Sequence, residues 1–236
     1  MRRAVLGCLA VLGAFALTTT PLASADAAAT SLQQAQYRLN QFGCDAGPMN
    51  GKASDHLKDG IIRFQAANQL TQSGKLTEIT RAKLVKPTAI PCNARPVPSG
   101  TGTGKRIVVS QLQNWIWLVR DDGSVSAQGG MIDNPDIVAV GTYYTGSKCG
   151  RPAKILHNRD YTETLQLDYF TRVIACGVGF HRVPTYVGTN TQIHPDWMLG
   201  TNEMTSHGCT RVSNETAKKI YYFAQPGTKV VVVGDR

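Results

Sequence analysis

Three absences bound what this 236-residue chain can be. No apolar run reaches the ~20 residues that a membrane-spanning helix needs. The longest, "AVLGCLAVLGAFAL" (4–17), falls short, so no membrane anchor is expected. The spacings H-E-x-x-H and C-x-x-C are both missing, which removes the usual announcements of a zinc site. Neither a metal nor a cofactor is expected. Acidic residues are scarce: 16 Asp and Glu against 25 Lys and Arg give a formal charge of +9. Inside a cell such an excess suggests nucleic acid, whereas outside one it suits anionic envelope polymers. Hydrophobic content of 42% with 17% charged residues gives no ground for disorder.

The N-terminus decides between those settings. Arg2 and Arg3 precede the apolar run, and Ala23 and Ala25 supply an A-x-A cleavage signal. Residues 1–25 therefore read as a secretory signal, with the mature chain starting at Asp26. The protein is expected to be secreted and to bind no nucleic acid. Losing Cys8 with the signal leaves Cys44, Cys92, Cys149, Cys176 and Cys209, an odd number in a disulfide-permissive compartment. One thiol is left over.

Helical spacing recurs in "SLQQAQYRLNQFG" (31–43), through Leu32, Ala35, Leu39 and Phe42. It returns in "HLKDGIIRFQAANQL" (56–70) and in the shorter "LTEITRAKLV" (76–85). Three short helices make a small core that gains from a staple. Cys44 and Cys92 flank that core and are the preferred pair, although four cysteines allow three connectivities and the sequence does not choose among them. The stretches "LQQAQYRLNQFG", "PMNG", "IIRFQAANQL" and "GKLTEITRAKL" resemble the peptidoglycan-binding domain of bacterial wall enzymes, over residues 31–86.

Residues 87–104, rich in proline, glycine and small polar residues, read as a linker. From 105 to 234 the periodicity is that of strands: "RIVVSQ" (106–111), "NWIWLVR" (114–120), "SVSAQGGMI" (124–132), "TLQLDYF" (164–170), "RVIACGVGFH" (172–181) and "TKVVVVG" (228–234). One helix, "NETAKKIYYFA" (214–224), has Ser213 or Asn214 as its N-cap. The predicted fold class is α+β and multidomain, with a small three-helix N-terminal domain and a mainly β catalytic domain.

The left-over thiol draws attention to "MTSHGCTRVS" (204–213). A free thiol is only a few per cent ionised near neutrality, so a nucleophilic cysteine needs a neighbour to take its proton. Histidine suits that task, and His157, His181, His194 and His207 all share the domain. Backbone amides around Gly208 and Cys209 would face a developing oxyanion, where one donor is worth ~3 kcal/mol. His157, in "ILHNRD", reads as a surface residue.

Taken together, "GVGFHRVP" (177–184), "LGTNEMTSHGC" (199–209) and "PGTKVVVV" (226–233) closely resemble the L,D-transpeptidase catalytic domain of bacterial cell walls, over residues 105–234. The resemblance implies a fold of that type with Cys209 as nucleophile. The thiol would attack the carbonyl between the third and fourth residues of a stem tetrapeptide, release D-alanine and hold the rest as a thioester. The amine of a neighbouring stem would resolve it, linking two third residues. With water as acceptor the chain would be an L,D-carboxypeptidase, and a non-catalytic wall-binding protein is the remaining alternative. Peptidoglycan stem peptides and glycan are the implied partners of a monomer.

By the same resemblance His181, at a strand end with a proline following, matches the catalytic base; His194 is the alternative. His207 would assist by polarity or position. Ser206, Gly208, Arg211 and Trp197 are candidates for binding substrate, Arg211 as a bidentate donor to a carboxylate. Cys149 and Cys176 can close a disulfide within this domain, leaving Cys209 free. A papain-like peptidase uses the same residue types, but its histidine follows the cysteine, and here the candidates precede it.

Overall fold

The computed structural model describes residues 25–234 except Ala175, with side chains from Ser31 onward. The predicted signal segment, Ala25 apart, lies outside the described residues. No described helix is long and apolar enough to cross a membrane.

Helices α1 (Ala25–Gln41), α2 (Asp55–Ala67) and α3 (Glu78–Leu84) form the N-terminal domain. Ser54 and Thr77 start α2 and α3 by accepting the Leu57 and Thr80 amides at 3.1 and 3.2 Å, satisfying donors that the first helical turn cannot. Leu39, Leu57, Ile61, Phe64 and Leu84 fill the small core. The Cys44–Cys92 disulfide runs through that core, both cysteines being fully buried.

Ten strands make one sheet among the described residues: β1 (Arg106–Ser110), β2 (Trp115–Val119), β3 (Val125–Ile132), β4 (Gly141–Tyr144), β5 (Lys154–Arg159), β6 (Leu165–Ile174), β7 (Val178–Arg182), β8 (Thr185–Tyr186), β9 (Thr210–Val212) and β10 (Lys229–Val233). Their order is β4-β10-β1-β2-β3-β9-β7-β6-β5, with β8 beside β6. Only β1–β10 and β7–β9 pair in parallel. The sheet curls until Gly146, just past β4, donates to the Arg172 carbonyl of β6 at 3.1 Å. Ile107, Ile116, Met131, Phe180, Val212 and Val230 converge inside the curl. Helix α4 (Asn214–Phe223), capped by Ser213, lays Ala217 and Ile220 on the same core.

The sequence pattern places a strand break near residue 171, and the structure moves it to the turn at Cys176–Gly177. Thr171 is β-branched and paired on both sides, with Lys154 and Phe180, so nothing interrupts β6 there. Strands β4, β5, β8 and β9 are absent from the sequence reading.

The segment read as a linker is no loose tether. Arg95 is 2% exposed and spreads its guanidinium 3.8 Å over the Trp115 ring. It donates to the carbonyls of Cys92, Gln113 and Arg63, while Trp117 donates to the Arg95 carbonyl at 3.0 Å. From the other side Arg63, also buried, donates to Cys44 and Asp45 in its own domain and to Trp197 and Leu199 in the other. One cationic fork thus ties two loops of different domains together.

Candidate active site

Strands β7 and β9 pair Phe180 with Thr210, His181 with Arg211 and Arg182 with Val212. Side chains alternate, so Phe180 and Val212 enter the core while Gly179, His181, Cys209 and Arg211 share the opposite face. Gly179 lies across from Cys209, and its amide reaches the sulfur. Nothing larger than glycine fits there, because a Cβ would come within 2.3 Å of the Thr171 carbonyl oxygen. His181 is the next residue along on the same face, diagonal to Cys209, a relation at which long side chains still meet.

Cys209 is the free cysteine among the described residues, half-buried. Its thiol donates to the Gly177 carbonyl at 3.2 Å rather than to an imidazole. Burial pushes its pKa above that of an ordinary thiol; the Gly179 amide and then the Arg211 and Arg172 charges pull the other way. The Cys149–Cys176 disulfide fixes the turn that carries Gly177.

His181 is 2% exposed and stacks on Phe170, with ring centroids 6.3 Å apart. Its Nδ1 lies 2.6 Å from the Arg182 carbonyl oxygen, which places the proton on Nδ1 and leaves Nε2 with a lone pair. Burial drops the His181 pKa to about 4, opposed by the Arg182 bond and assisted by the Arg211 charge. Thiol and imidazole are therefore both neutral at rest.

His194 repeats part of this arrangement. Its Nδ1 is 3.1 Å from the Pro195 carbonyl oxygen, and its buried Nε2 has no partner among the described residues. Burial lowers its pKa as well. The two imidazoles and the thiol all feel Arg211, whose own pKa burial lowers and Cys209 raises. Asp196 acts on His194 alone; among the described residues no carboxylate is paired with Arg211, so the guanidinium is free to take one from outside.

The loop bearing Cys209 is pinned from below. Ser206, 3% exposed, donates its amide to the Asp133 carbonyl and accepts the Asn134 side chain on its own. Its hydroxyl accepts the Gly208 amide at 3.0 Å, so Ser206 supports the loop instead of lining a cleft, and that amide is occupied. Gly208 has φ +122°, where a side chain is strained. His207 is exposed. Trp197 stacks on the N-terminal domain, its ring 5.1 Å from that of His56. His157 is exposed and 3.0 Å from Asp168. Gly177, Gly179 and Phe170 were given no role from sequence; the two glycines just before His181 are the signal that was there to read.

A family model of the L,D-transpeptidase catalytic domain matches residues 104–232, more than half of the chain. The chain belongs to the L,D-transpeptidase family. A second family model, for a peptidoglycan-binding domain, matches residues 29–84. Among solved structures, the L,D-transpeptidase of Xylanimonas cellulosilytica aligns over 86% of this chain and 93% of its own, with a TM-score of 0.51 at 17% identity, so the two share a fold. That of Stackebrandtia nassauensis aligns over 87% and 91% with a TM-score of 0.45 at 20% identity. One from Mycobacterium smegmatis covers 56% of this chain and 60% of its own, with a TM-score of 0.43 at 20% identity. No curated relative matches. The protein is an L,D-transpeptidase with a peptidoglycan-binding domain in front, and peptidoglycan is what it acts on.

Proposed function

We propose that this L,D-transpeptidase is secreted and cross-links stem peptides through a thioester on Cys209, with His181 as general base. The observation that supports the reading is the shared face of β7 and β9: one free thiol, a neutral imidazole with an unprotonated Nε2, and an arginine with no carboxylate partner among the described residues. Attack of the sulfur on the carbonyl between the third and fourth stem residues transfers the thiol proton to His181 Nε2. The C–S bond forms, and the protonated imidazole hands its proton to the departing D-alanine amine as the C–N bond breaks. The amine of a second stem then attacks the thioester carbonyl and gives its proton to the same imidazole; the C–S bond breaks as the amide between two third residues forms, and the imidazolium returns the proton to the Cys209 thiolate.

The oxyanion falls to the Cys209 amide, since the Gly208 amide is held by Ser206. Arg211 holds a substrate carboxylate. His194 shapes the far side of the site and does not move the proton, because it stands on a loop rather than on the strand paired with β9. Disulfides and a basic surface agree with a place outside the cytoplasm.

Intact-protein mass spectrometry after incubation with a disaccharide-tetrapeptide tests this directly. The expected adduct is the donor minus D-alanine, present in the native chain and missing in Cys209→Ala. A folded protein with a titratable thiol and no adduct would overturn the mechanism.

A further inference from the structure

The junction between the two domains forms two open clefts, of about 810 and 490 Å³, that share Leu70, Thr71, Gln72 and Leu112. Each is within the range of ligand pockets. They meet where Gln72 reaches across the domains and donates to the Leu112 carbonyl at 2.7 Å. The Gln72 Oε1 beside that bond is buried and receives no donor among the described residues. A buried acceptor left empty costs free energy unless a ligand or water supplies the proton.

The lining has an unusual composition for so basic a chain. Leu70, Val97 and Leu112 give apolar surface, and Leu112 is 45% exposed. Gln69, Gln72, Gln113 and Asn202 give amides that both donate and accept. No Lys or Arg lines either cleft, and the one acid, Asp133, is buried and bonded to Gln111. A stem peptide with its carboxylates finds no counter-charge here, and neither does an acidic membrane surface. A neutral pyranose offers what the lining lacks: a flat C–H face for the leucines and a rim of hydroxyl and acetamido N–H donors for the amides. Thr205, beside Ser206 on the loop that carries Cys209, lines the second of these clefts.

We propose that this interdomain groove binds the uncharged N-acetylated sugar chain of peptidoglycan, laid across the Gln72–Leu112 bridge and leading toward the Cys209 loop. The proposal rests on the cross-linking reading above and adds the part of the polymer that the thiol does not touch. Both domains contribute to the groove, so glycan recognition belongs to the assembled chain.

The test uses the full chain and chitotetraose, a peptide-free tetramer of N-acetylglucosamine. Titration should show saturable binding, with amide NMR shifts centred on residues 69–72 and 111–114. Leu112→Arg should weaken that binding about tenfold. The Leu112 carbonyl that accepts Gln72 is main chain, so this substitution keeps the bridge. Thioester formation on a glycan-free tetrapeptide should stay within about twofold in the variant. Equal binding by both proteins, shifts confined to another surface, or no binding would each overturn the groove while leaving Cys209 chemistry intact. Loss of the thioester in the native protein would instead overturn the reading on which the groove rests.

Discussion

A histidine held neutral by burial changes how an enzyme responds to acid. With an ordinary pKa near 6.5 a general base would begin to fail below that pH. Folding lowers the His181 pKa to about 4, so at pH 5 to 6 the imidazole still lacks its second proton and can accept one. Thioester formation should therefore hold nearly level down to pH 5 and fall only as pH approaches 4. Acylation rates across pH 4 to 8 measure this, and an acid limb centred at 6.5 would sink His181 as the base. His181→Gln should slow acylation by about 100-fold or more, and His194→Gln by much less. Arg211→Ala should raise KM for a tetrapeptide, and Arg211→Lys should rescue little of it, because an ammonium does not reproduce a two-pronged contact. An unchanged KM in Arg211→Ala would leave that arginine structural. The free thiol was legible at this scale, because a lone unpaired cysteine in a Ser-His-Gly-Cys turn is a local signal. The placing of His181 beside it and of His194 on a loop was not, since it depends on which strand pairs with β9, and three residues of strand leave almost no periodicity.

At the scale of elements the long, regular pieces were readable and the short ones were not. Helices α2, α3 and α4 show themselves by spacing, and α4 also by its cap Ser213, whereas the caps Ser54 and Thr77 emerge only in the structure. Strands β4, β5, β8 and β9 have polar or mixed sequences, because their outer faces meet solvent or the site and not the core. The loop after β8 was equally opaque. Its small core of Ile193, Met198, Leu199 and Met204 closes on Ile132 and Val183, and its carbonyls at Trp197 and Leu199 are held from the N-terminal domain by Arg63. Nothing in a sequence marks an arginine that will bond to main-chain carbonyls far away. Arg63→Ala strips donors from four carbonyls, and should cost about 1–3 kcal/mol, seen as a lower Tm and a smaller separation-resistant domain contact. The exposed Lys58–Glu203 pair joins the same loop, yet Lys58→Ala should leave Tm unmoved, since solvent screens it. Equal effects of the two substitutions in a melting experiment would remove Arg63 from its place as the tie.

For the whole molecule, the two-domain α+β class was visible from the change of period near residue 105, whereas the docking of the domains was not. The N-terminal core is small and encloses its disulfide. Opening a loop of 48 residues by Cys44→Ala with Cys92→Ala should cost about 4 kcal/mol on the chain-entropy account. Calorimetry should then show that domain melting separately and earlier, while Cys209 remains the only thiol that reacts in the native form. A single unshifted transition would mean that the interdomain contacts, and not the disulfide, hold the helices. The packed connection has a consequence for encounter with the wall. A free tether of that length would let the thiol wander over roughly 20–25 Å around an anchored domain. With Arg95 laid on Trp115 and its carbonyl bonded to Trp117, that search volume disappears. Once the N-terminal domain is seated, the local concentration of Cys209 is high at one position along the polymer and close to zero elsewhere, so the shape of the protein, and not the reach of a chain, chooses which stretch of polymer the thiol meets.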